Sequence, residues 1–202
     1  MEQALRQRGR LLSLLAPLLR LSEAVGALAR EAADAEGLTP AQAQVLRFAS
    51  RTKTFATSIG NVAQALGTSH VNAVKVVTGL ERRGLVRREA SPWDKRVTLV
   101  RLTPAGQEVA ERLRQLERSL EQAAAELTPA QRAALEPALG AIVLALARAG
   151  LVTVALPCRG CIHFQENVAP GSPEPHRCRL IDRFLSEREA RLDCPDHIPI
   201  AA

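Results

Sequence analysis

Aromatic residues are scarce in this chain. Its 202 residues include no Tyr, one Trp and four Phe, and aromatic residues make up 2% of the composition. A core must therefore be built from Leu, Val and Ala, and Leu and Ala are strong helix formers. The same scarcity excludes a stacking surface for single-stranded nucleic acid, which needs exposed aromatic rings. We therefore expect a mainly α protein.

Long hydrophobic runs are also absent. No stretch reaches the roughly 18 to 20 apolar residues of a membrane-spanning helix. The apolar run at residues 11–19 is interrupted by Ser13 and Pro17, and no small-residue cleavage site of a signal peptide follows it. We expect a cytoplasmic protein without a membrane partner. Residues 151–202 hold six arginines and seven acidic residues, so the net charge of +6 arises in the first 150 residues, where it is compatible with a polyanionic partner.

Helical patterns dominate residues 5–150. Residues 5–35 repeat Leu, Ala and Val at helical spacing. Two short helices at 58–66 and 70–83 are joined by a turn that contains Gly67, which is the pattern of a helix-turn-helix. We expect their apolar residues to pack together and the remaining face of the second helix to stay exposed. The residues predicted in this small core are Ile59, Val62, Leu66, Val71, Val74 and Leu80.

A hairpin is predicted directly after the helix-turn-helix. Leu85–Arg88 and Val97–Leu102 have the composition of strands, and the polar segment between them ends in Lys95 and Arg96. A hairpin in this position is a wing. Two long helices follow at 105–127 and 130–149, each preceded by a Thr-Pro pair that is typical of a helix start.

Four blocks carry a family resemblance. They are Leu-Thr-Pro at 38–40, Asn-Val-Ala-Gln-Ala-Leu-Gly at 61–67, Leu-Glu-Arg-Arg-Gly-Leu-Val-Arg-Arg at 80–88, and the wing sequence from Asp94-Lys95-Arg96 to Gly106. In these blocks the chain from about residue 5 to 150 resembles the MarR family (multiple antibiotic resistance regulators). The family's wing usually reads Asp-Arg-Arg, and Lys95 keeps the charge of the second position.

The resemblance implies a DNA-binding transcription regulator rather than an enzyme. It implies a homodimer whose terminal helices interlock, at 1–36 and 105–150, around a winged helix-turn-helix at 38–104. The second helix of each helix-turn-helix would read the major groove of a pseudo-palindromic, double-stranded operator, with the wing on the minor groove or phosphates. Relatives often lose DNA affinity when a small-molecule effector binds.

Candidate DNA contacts lie at the start of the recognition helix and in the wing. The N-terminal part of such a helix touches base edges. Asn can pair with adenine and an exposed Ala can meet a thymine methyl group, whereas cations mainly bind phosphates. His70 is equally compatible with a surface histidine that has no partner. The predicted DNA-binding residues are Thr68, Ser69, His70, Asn72, Ala73, Lys75, Asp94, Lys95 and Arg96.

Cysteine is absent from the first 157 residues, and all four cysteines follow in the spacing C-x2-C-x16-C-x15-C, at Cys158, Cys161, Cys178 and Cys194. The segment 151–202 is too short to form a core of its own and needs a covalent or metal staple. Disulfides are disfavoured in a reducing compartment. We therefore predict a small four-cysteine module at 151–202 that binds a metal.

The choice of metal depends on ligand order. Zinc ribbons usually combine two C-x2-C pairs, whereas this chain has one pair and two single cysteines. The order, and the text Cys158-Arg-Gly-Cys161-Ile-His-Phe164, are similar to the high-potential iron–sulfur proteins, although this chain lacks their aromatic shell and the Trp before the last cysteine. Cys194-Pro195 is also a common iron–sulfur setting. We predict an iron–sulfur cluster, [4Fe–4S] rather than [2Fe–2S], with zinc as the alternative.

The cluster is predicted to sense redox state, oxygen or nitric oxide and thereby modulate DNA affinity. One alternative is a repressor that responds to a small molecule and carries a structural zinc tail. An iron–sulfur redox enzyme is disfavoured because no nucleotide-binding glycine loop, flavin fingerprint or catalytic triad pattern is found. Three histidines are close enough in sequence to replace a cysteine or to surround the site: His163, His176 and His197.

Overall fold

The computed structural model describes residues 2–153 and 155–200. Met1 of the predicted 1–36 segment, and Val154, Ala201 and Ala202 of the predicted module, lie outside the described residues. The mainly α prediction is confirmed, since helices account for most of the chain and two small antiparallel sheets complete it.

The N-terminal part consists of helix α1 (Glu2–Ala35), helix α2 (Pro40–Arg51) and a short 3-10 turn (Thr54–Ala56). Helix α2 begins at a reciprocal cap. The hydroxyl of Thr39 accepts the backbone N–H of Gln42, and the Gln42 side chain accepts the backbone N–H of Thr39. This arrangement satisfies two backbone donors that a helix start otherwise leaves unpaired, which explains why the boundary was predictable.

The helix-turn-helix consists of α3 (Ile59–Ala65) and α4 (His70–Arg82). The wing follows as β1 (Val86–Ala90) and β2 (Thr98–Leu102), which pair antiparallel from Val86 opposite Leu102 to Ala90 opposite Thr98. The first strand thus begins one residue later and ends two residues later than predicted, because its hydrogen-bonded register follows β2 as far as Ala90.

The predicted helix at 105–127 is divided into α5 (Pro104–Arg112) and α6 (Gln115–Ala125). At the junction the Arg114 N–H donates to the Glu111 carbonyl at 3.1 Å, which is the tighter i to i−3 pattern. Leu113 is fully buried there. No Gly or Pro marks this junction in the sequence, which is why one continuous helix was predicted.

Helix α7 (Pro129–Arg148) is the most apolar helix, and none of its residues is buried. By length and composition it is able to cross a membrane. The sequence shows no uninterrupted apolar run here because Arg132 and Glu136 divide it. The mean hydropathy of the helix is nevertheless high.

One core holds the winged helix-turn-helix together. Its fully buried members come from the end of α1 and from α2, α3, α4, the wing and the α5–α6 junction: Ala33, Leu46, Val62, Ala73, Val77, Leu80, Val100 and Leu113. The close approach of α5 to the wing requires Gly106, because a Cβ at this position would lie 1.8 Å from the Leu85 carbonyl oxygen.

The C-terminal segment forms a three-stranded antiparallel sheet, β3 (Phe164–Gln165), β4 (His176–Cys178) and β5 (Arg183–Leu185), followed by α8 (Glu187–Arg191). This segment contributes to a second, small core. It buries Cys158, Cys178, Leu185 and Ala190 together, with Phe55, Phe164 and Ile181 packed against them. Phe55 belongs to the winged-helix part, so the small core is shared between the two parts.

Candidate nucleic-acid interface and metal centre

The start of α4 is shaped by a serine cap. The Ser69 hydroxyl accepts the Asn72 backbone N–H at 3.3 Å, and the Asn72 side-chain amide donates to the Thr68 hydroxyl at 3.2 Å. Ser69, His70 and Asn72 are exposed. The cap therefore presents the imidazole of His70 and the amide of Asn72 on the surface, and DNA contact by these residues stays a prediction.

The predicted inward face of α4 is wrong in its first turn. Ala73 is fully buried, in line with Val77 and Leu80, whereas Val71 is 63% exposed. Ala73 therefore cannot meet a thymine methyl group, and Val71 was wrongly placed in the core. Apolar residues occur on all sides of α4, so its hydrophobic pattern does not define which side faces the core. Val71 replaces Ala73 as the apolar candidate for contact with DNA.

The wing presents its cations through an internal ion pair. The Arg96 Nε and Nη2 atoms donate to the two carboxylate oxygens of Asp94 at 3.0 and 2.9 Å. These bonds, and one from the Arg96 backbone, hold the pKa of Asp94 below its usual value. Asp94 therefore positions Arg96. Lys75 and Lys95 are exposed.

A groove runs between the recognition helix and the wing. His70 and Val74 line it from α4, and Arg96 and Thr98 line it from the wing, with Ser58 and Gly60 at the start of α3. Of the nine predicted DNA-binding residues, His70 and Arg96 line this groove, although they lie 26 positions apart in the sequence.

Three separate segments supply the cysteines. The Cys158 N–H donates to the Ala190 carbonyl at 3.0 Å, and the Cys161 N–H returns to the Cys158 carbonyl at 3.0 Å. Gly160, at φ +81°, makes this turn possible. Cys178 lies on β4 opposite Phe164. Cys194 exchanges backbone hydrogen bonds with Leu156 at 3.0 and 3.2 Å.

All four cysteines line one small cavity. All are free thiols; Cys194 is half-buried and the others are buried. Of the three histidines considered from sequence, His163 and His197 line the cavity. His176 does not, since its Nε2 lies 2.6 Å from a Glu187 carboxylate oxygen and its Nδ1 accepts the Asn167 N–H.

Among residues 2–153 and 155–200, no three His, Cys, Asp or Glu side chains converge as they do around a single metal ion. Burial raises the pKa of the Cys158 thiol, against the opposing charge of Lys53, and raises the pKa of Cys194 to about 11. Such thiols ionise when a metal takes the place of the proton.

A buried lysine completes the cavity. Lys53, from the segment after α2, lines it and is only 1% exposed. Its Nζ donates to the Leu192 carbonyl at 2.6 Å, and no carboxylate of the described residues forms an ion pair with it. A buried ammonium group requires nearby negative charge, which thiolates at Cys158 and Cys194 would supply. Sequence reasoning missed Lys53, because nothing near it in the chain connects it to cysteines more than a hundred residues away.

Backbone hydrogen bonds attach the cavity to the winged-helix part. The Lys53 N–H donates to the Asp193 carbonyl at 3.1 Å, and the Asp193 N–H donates to the Arg51 carbonyl at 3.0 Å. The residue that precedes Cys194 is therefore fixed to the end of α2. The cysteine cavity lies against the body that carries the recognition helix.

Comparisons with known proteins agree with this architecture. Residues 36–97 match the model of the MarR family. A MarR-family transcriptional regulator from Silicibacter pomeroyi is 30% identical, with 66% of this chain and 88% of that chain covered and a TM-score of 0.54. The search of curated proteins finds no match.

Two further solved structures share the fold at lower identity. One is the S. aureus MepR–DNA complex, with 19% identity, 65% of this chain and 97% of that chain covered, and a TM-score of 0.54. The other is CouR from Rhodococcus jostii RHA1 bound to p-coumaroyl-CoA, with 23% identity, 62% and 87% covered, and a TM-score of 0.53. Each comparison leaves about a third of this chain unmatched.

Proposed function

Since the chain belongs to the MarR family of DNA-binding transcription regulators, we propose that it regulates transcription as a homodimer whose affinity for DNA depends on an iron–sulfur cluster bound by its four cysteines. The observation that carries this proposal is the cavity itself. It combines four cysteines with the buried Lys53 of the winged-helix part.

The DNA-binding part of the proposal uses the groove between α4 and the wing. His70, Val71 and Asn72 would face base edges, because they are exposed in the first turn of the recognition helix. Lys95 and Arg96 would bind phosphates or the minor groove and fix the register of the protein on DNA. Asp94 keeps Arg96 in the orientation that the wing presents.

A second copy of the chain is the proposed cover for the terminal helices. Large apolar side chains are exposed along α1 and α7: Leu14, Leu15, Leu19, Leu21, Leu135, Ile142, Val143, Leu144 and Leu146. Apolar surface of this extent is rare on soluble monomers. A two-fold dimer buries it and places two recognition helices one turn of DNA apart.

The cysteine order favours a cluster over a single zinc ion, since it has one C-x2-C pair and two single cysteines. Lys53 would offset part of the negative charge of the thiolates in either case. Cys158, Cys161, Cys178 and Cys194 would be the ligands, with [4Fe–4S] preferred. When bound, such a group supplies one-electron redox chemistry and reactivity toward oxygen or nitric oxide.

The chain's own residues would connect the cavity to DNA. With the four thiolates held together, Leu192 and Asp193 keep their hydrogen bonds to Lys53 and Arg51 at the end of α2. Without that constraint the C-terminal segment loses its staple and these bonds are released. DNA affinity changes to the extent that the two forms differ in stability and in the spacing of their recognition helices.

The test is metal analysis of protein purified without oxygen, together with its visible spectrum and a Cys158→Ser/Cys161→Ser variant. Iron and acid-labile sulfide are expected in the unmodified protein and absent from the variant. DNA affinity of both proteins is then measured by fluorescence anisotropy on a duplex selected from a random-sequence pool. A colourless, iron-free protein prepared without oxygen would refute the cluster, and equal DNA affinities would refute the regulation.

A ligand-responsive repressor with a structural zinc tail is the second candidate. A cleft between α1 and the α5–α6 segment supports it, lined by Leu28, Glu31, Ala32, Ala35, Glu36, Arg112 and Ser119. The fold neighbour CouR was solved with p-coumaroyl-CoA. One zinc ion per chain without colour, and release of DNA by an added aryl acid or its thioester, would favour this candidate over the cluster.

A further inference from the structure

An aromatic pair connects the cysteine cavity to the wing. Phe55 lies in the 3-10 turn Thr54–Ala56, lines the cavity, and packs against the core that contains Cys158 and Cys178. On its other side, its ring centroid lies 6.1 Å from that of Trp93, at an interplanar angle of 80°. This edge-to-face geometry is a favoured aromatic contact. Phe55 therefore touches both the proposed cofactor site and the DNA-binding part.

The turn that carries Phe55 contacts both the cysteine module and the wing. Arg183 of β5 lies over the Phe55 ring at 5.8 Å, and Arg101 of β2 donates a hydrogen bond to the Thr54 carbonyl. The 3-10 turn is thus enclosed between the wing and the cysteine module. Phe55 therefore contacts the cavity wall and Trp93 at the same time.

Trp93 is part of the turn that presents the wing cations. Its backbone N–H donates to the Ser91 hydroxyl at 3.3 Å, and the Ser91 N–H donates to the Val97 carbonyl at 2.8 Å. Ser91 is buried, whereas half of Trp93 is exposed. Lys95 and Arg96 lie between these hydrogen-bonded ends. Trp93 therefore belongs to the same hydrogen-bonded turn as the two cations.

We propose that Phe55 is a positioning residue through which occupancy of the cysteine cavity sets the order of the wing. With the cavity filled, Phe55 is held against Trp93 and the turn at residues 91–97 is fixed. With the cavity empty, the Phe55 ring gains space on the cavity side, its contact with Trp93 weakens, and the wing becomes mobile. This inference rests on the proposed metal occupancy of the cavity and adds the route by which that occupancy reaches DNA.

The test compares the full chain, metal-loaded and after chelation, by amide hydrogen exchange of residues 89–98. In the unmodified protein, loading is expected to slow exchange in this segment and to change DNA affinity by about 2- to 10-fold, the range of one aromatic pair. In Phe55→Leu, metal content is expected to persist while exchange at 89–98 no longer depends on loading. Phe184→Leu is the matched control, because Phe184 lies on β5 with its ring near Arg177 and away from the wing.

Trp93→Leu tests the same contact from the wing side without altering the cavity wall. It is expected to abolish the dependence of amide exchange at residues 89–98 on metal loading. If Phe55→Leu loses its metal, the result for Trp93→Leu tests the inference in its place. Loading-dependent exchange that persists in Trp93→Leu would overturn the inference while leaving the proposed function intact. Absence of metal from the unmodified protein would instead overturn the proposed function, and this inference with it.

Discussion

The winged helix-turn-helix and the four-cysteine module differ in what holds them together. The first has a core drawn from α1 to α5 and both wing strands, with many side chains fully buried. The core cluster of the second has four buried residues, of which two are cysteines. Because a core of this size contributes little stability, we expect the module to depend on its contacts with the winged-helix part and on the proposed metal at its thiols. We therefore expect the winged helix-turn-helix to stay folded through its own core, and the folding of the module to depend on further contacts.

Metal removal is expected to produce the largest difference in amide protection between the module and the winged helix-turn-helix. Chelation under anaerobic conditions should abolish amide protection in residues 155–200, because the staple of the module is lost. Protection in α2, α3 and α4 should remain within a factor of about two, since their core contains no cysteine. Hydrogen exchange followed by mass spectrometry measures both regions in one experiment. Equal loss in both regions would show that they form one cooperative unit, contrary to this comparison.

A single added methyl group at Gly106 should destabilise the winged helix-turn-helix. In Gly106→Ala the new Cβ would lie 1.8 Å from the Leu85 carbonyl oxygen, which is itself fixed by the Thr103 N–H. We expect a loss of more than about 3 kcal/mol in the free energy of unfolding, at the upper end of overpacking effects. Urea unfolding monitored by circular dichroism measures it.

The matched control is Gly60→Ala in α3, where the new Cβ meets only the Ser58 hydroxyl at 3.7 Å. This variant should gain about 0.5 to 1 kcal/mol from the lower entropy of its unfolded chain. Similar unfolding curves for the two variants would contradict the assigned role of Gly106.

The two regions also differ in how far the sequence predicts them. Helix starts at Thr39 and Ser69 were predictable because a cap is a local interaction between residues three apart. The inward face of α4 was not, since Val71, Ala73 and Val74 are all apolar and only tertiary packing selects Ala73. The junction at Leu113 was missed for the same reason.

In the module, cysteine spacing predicted that the four thiols share a site, and they line one cavity. The contributions of Lys53 and Phe55 were unpredictable. Both come from a segment about a hundred residues earlier, and they reach the cavity only because the strand-like pairing of Thr52 with Asp193 docks the module there. Long-range docking of this kind leaves no periodicity in the sequence.

Lys53→Met tests the link between the regions. It removes a buried charge beside Cys158 while keeping most of the side-chain volume. A cluster in the cavity should then be harder to reduce, by on the order of 100 mV for one charge at close range. A redox titration followed by visible absorption measures the potential. Lys75→Met, at an exposed lysine of α4, is the control and should leave the reduction potential unchanged. An unchanged potential in Lys53→Met would show that Lys53 only fills space.

The smallest expected effect concerns acid stability of the winged-helix part alone. The Arg112 guanidinium donates to both carboxylate oxygens of Glu36 at 2.7 and 2.9 Å and lowers the pKa of Glu36 below its usual value. A carboxyl with a lowered folded-state pKa contributes stability above its unfolded pKa, about 4.3 for Glu, and that contribution is lost as pH falls through the folded value. Glu36→Gln should therefore cost less than about 1 kcal/mol at pH 7 and a smaller amount at pH 3. Urea unfolding at both pH values checks this, with Glu121→Gln on α6 as the control, and an equal cost at pH 3 would assign the effect to packing instead of charge.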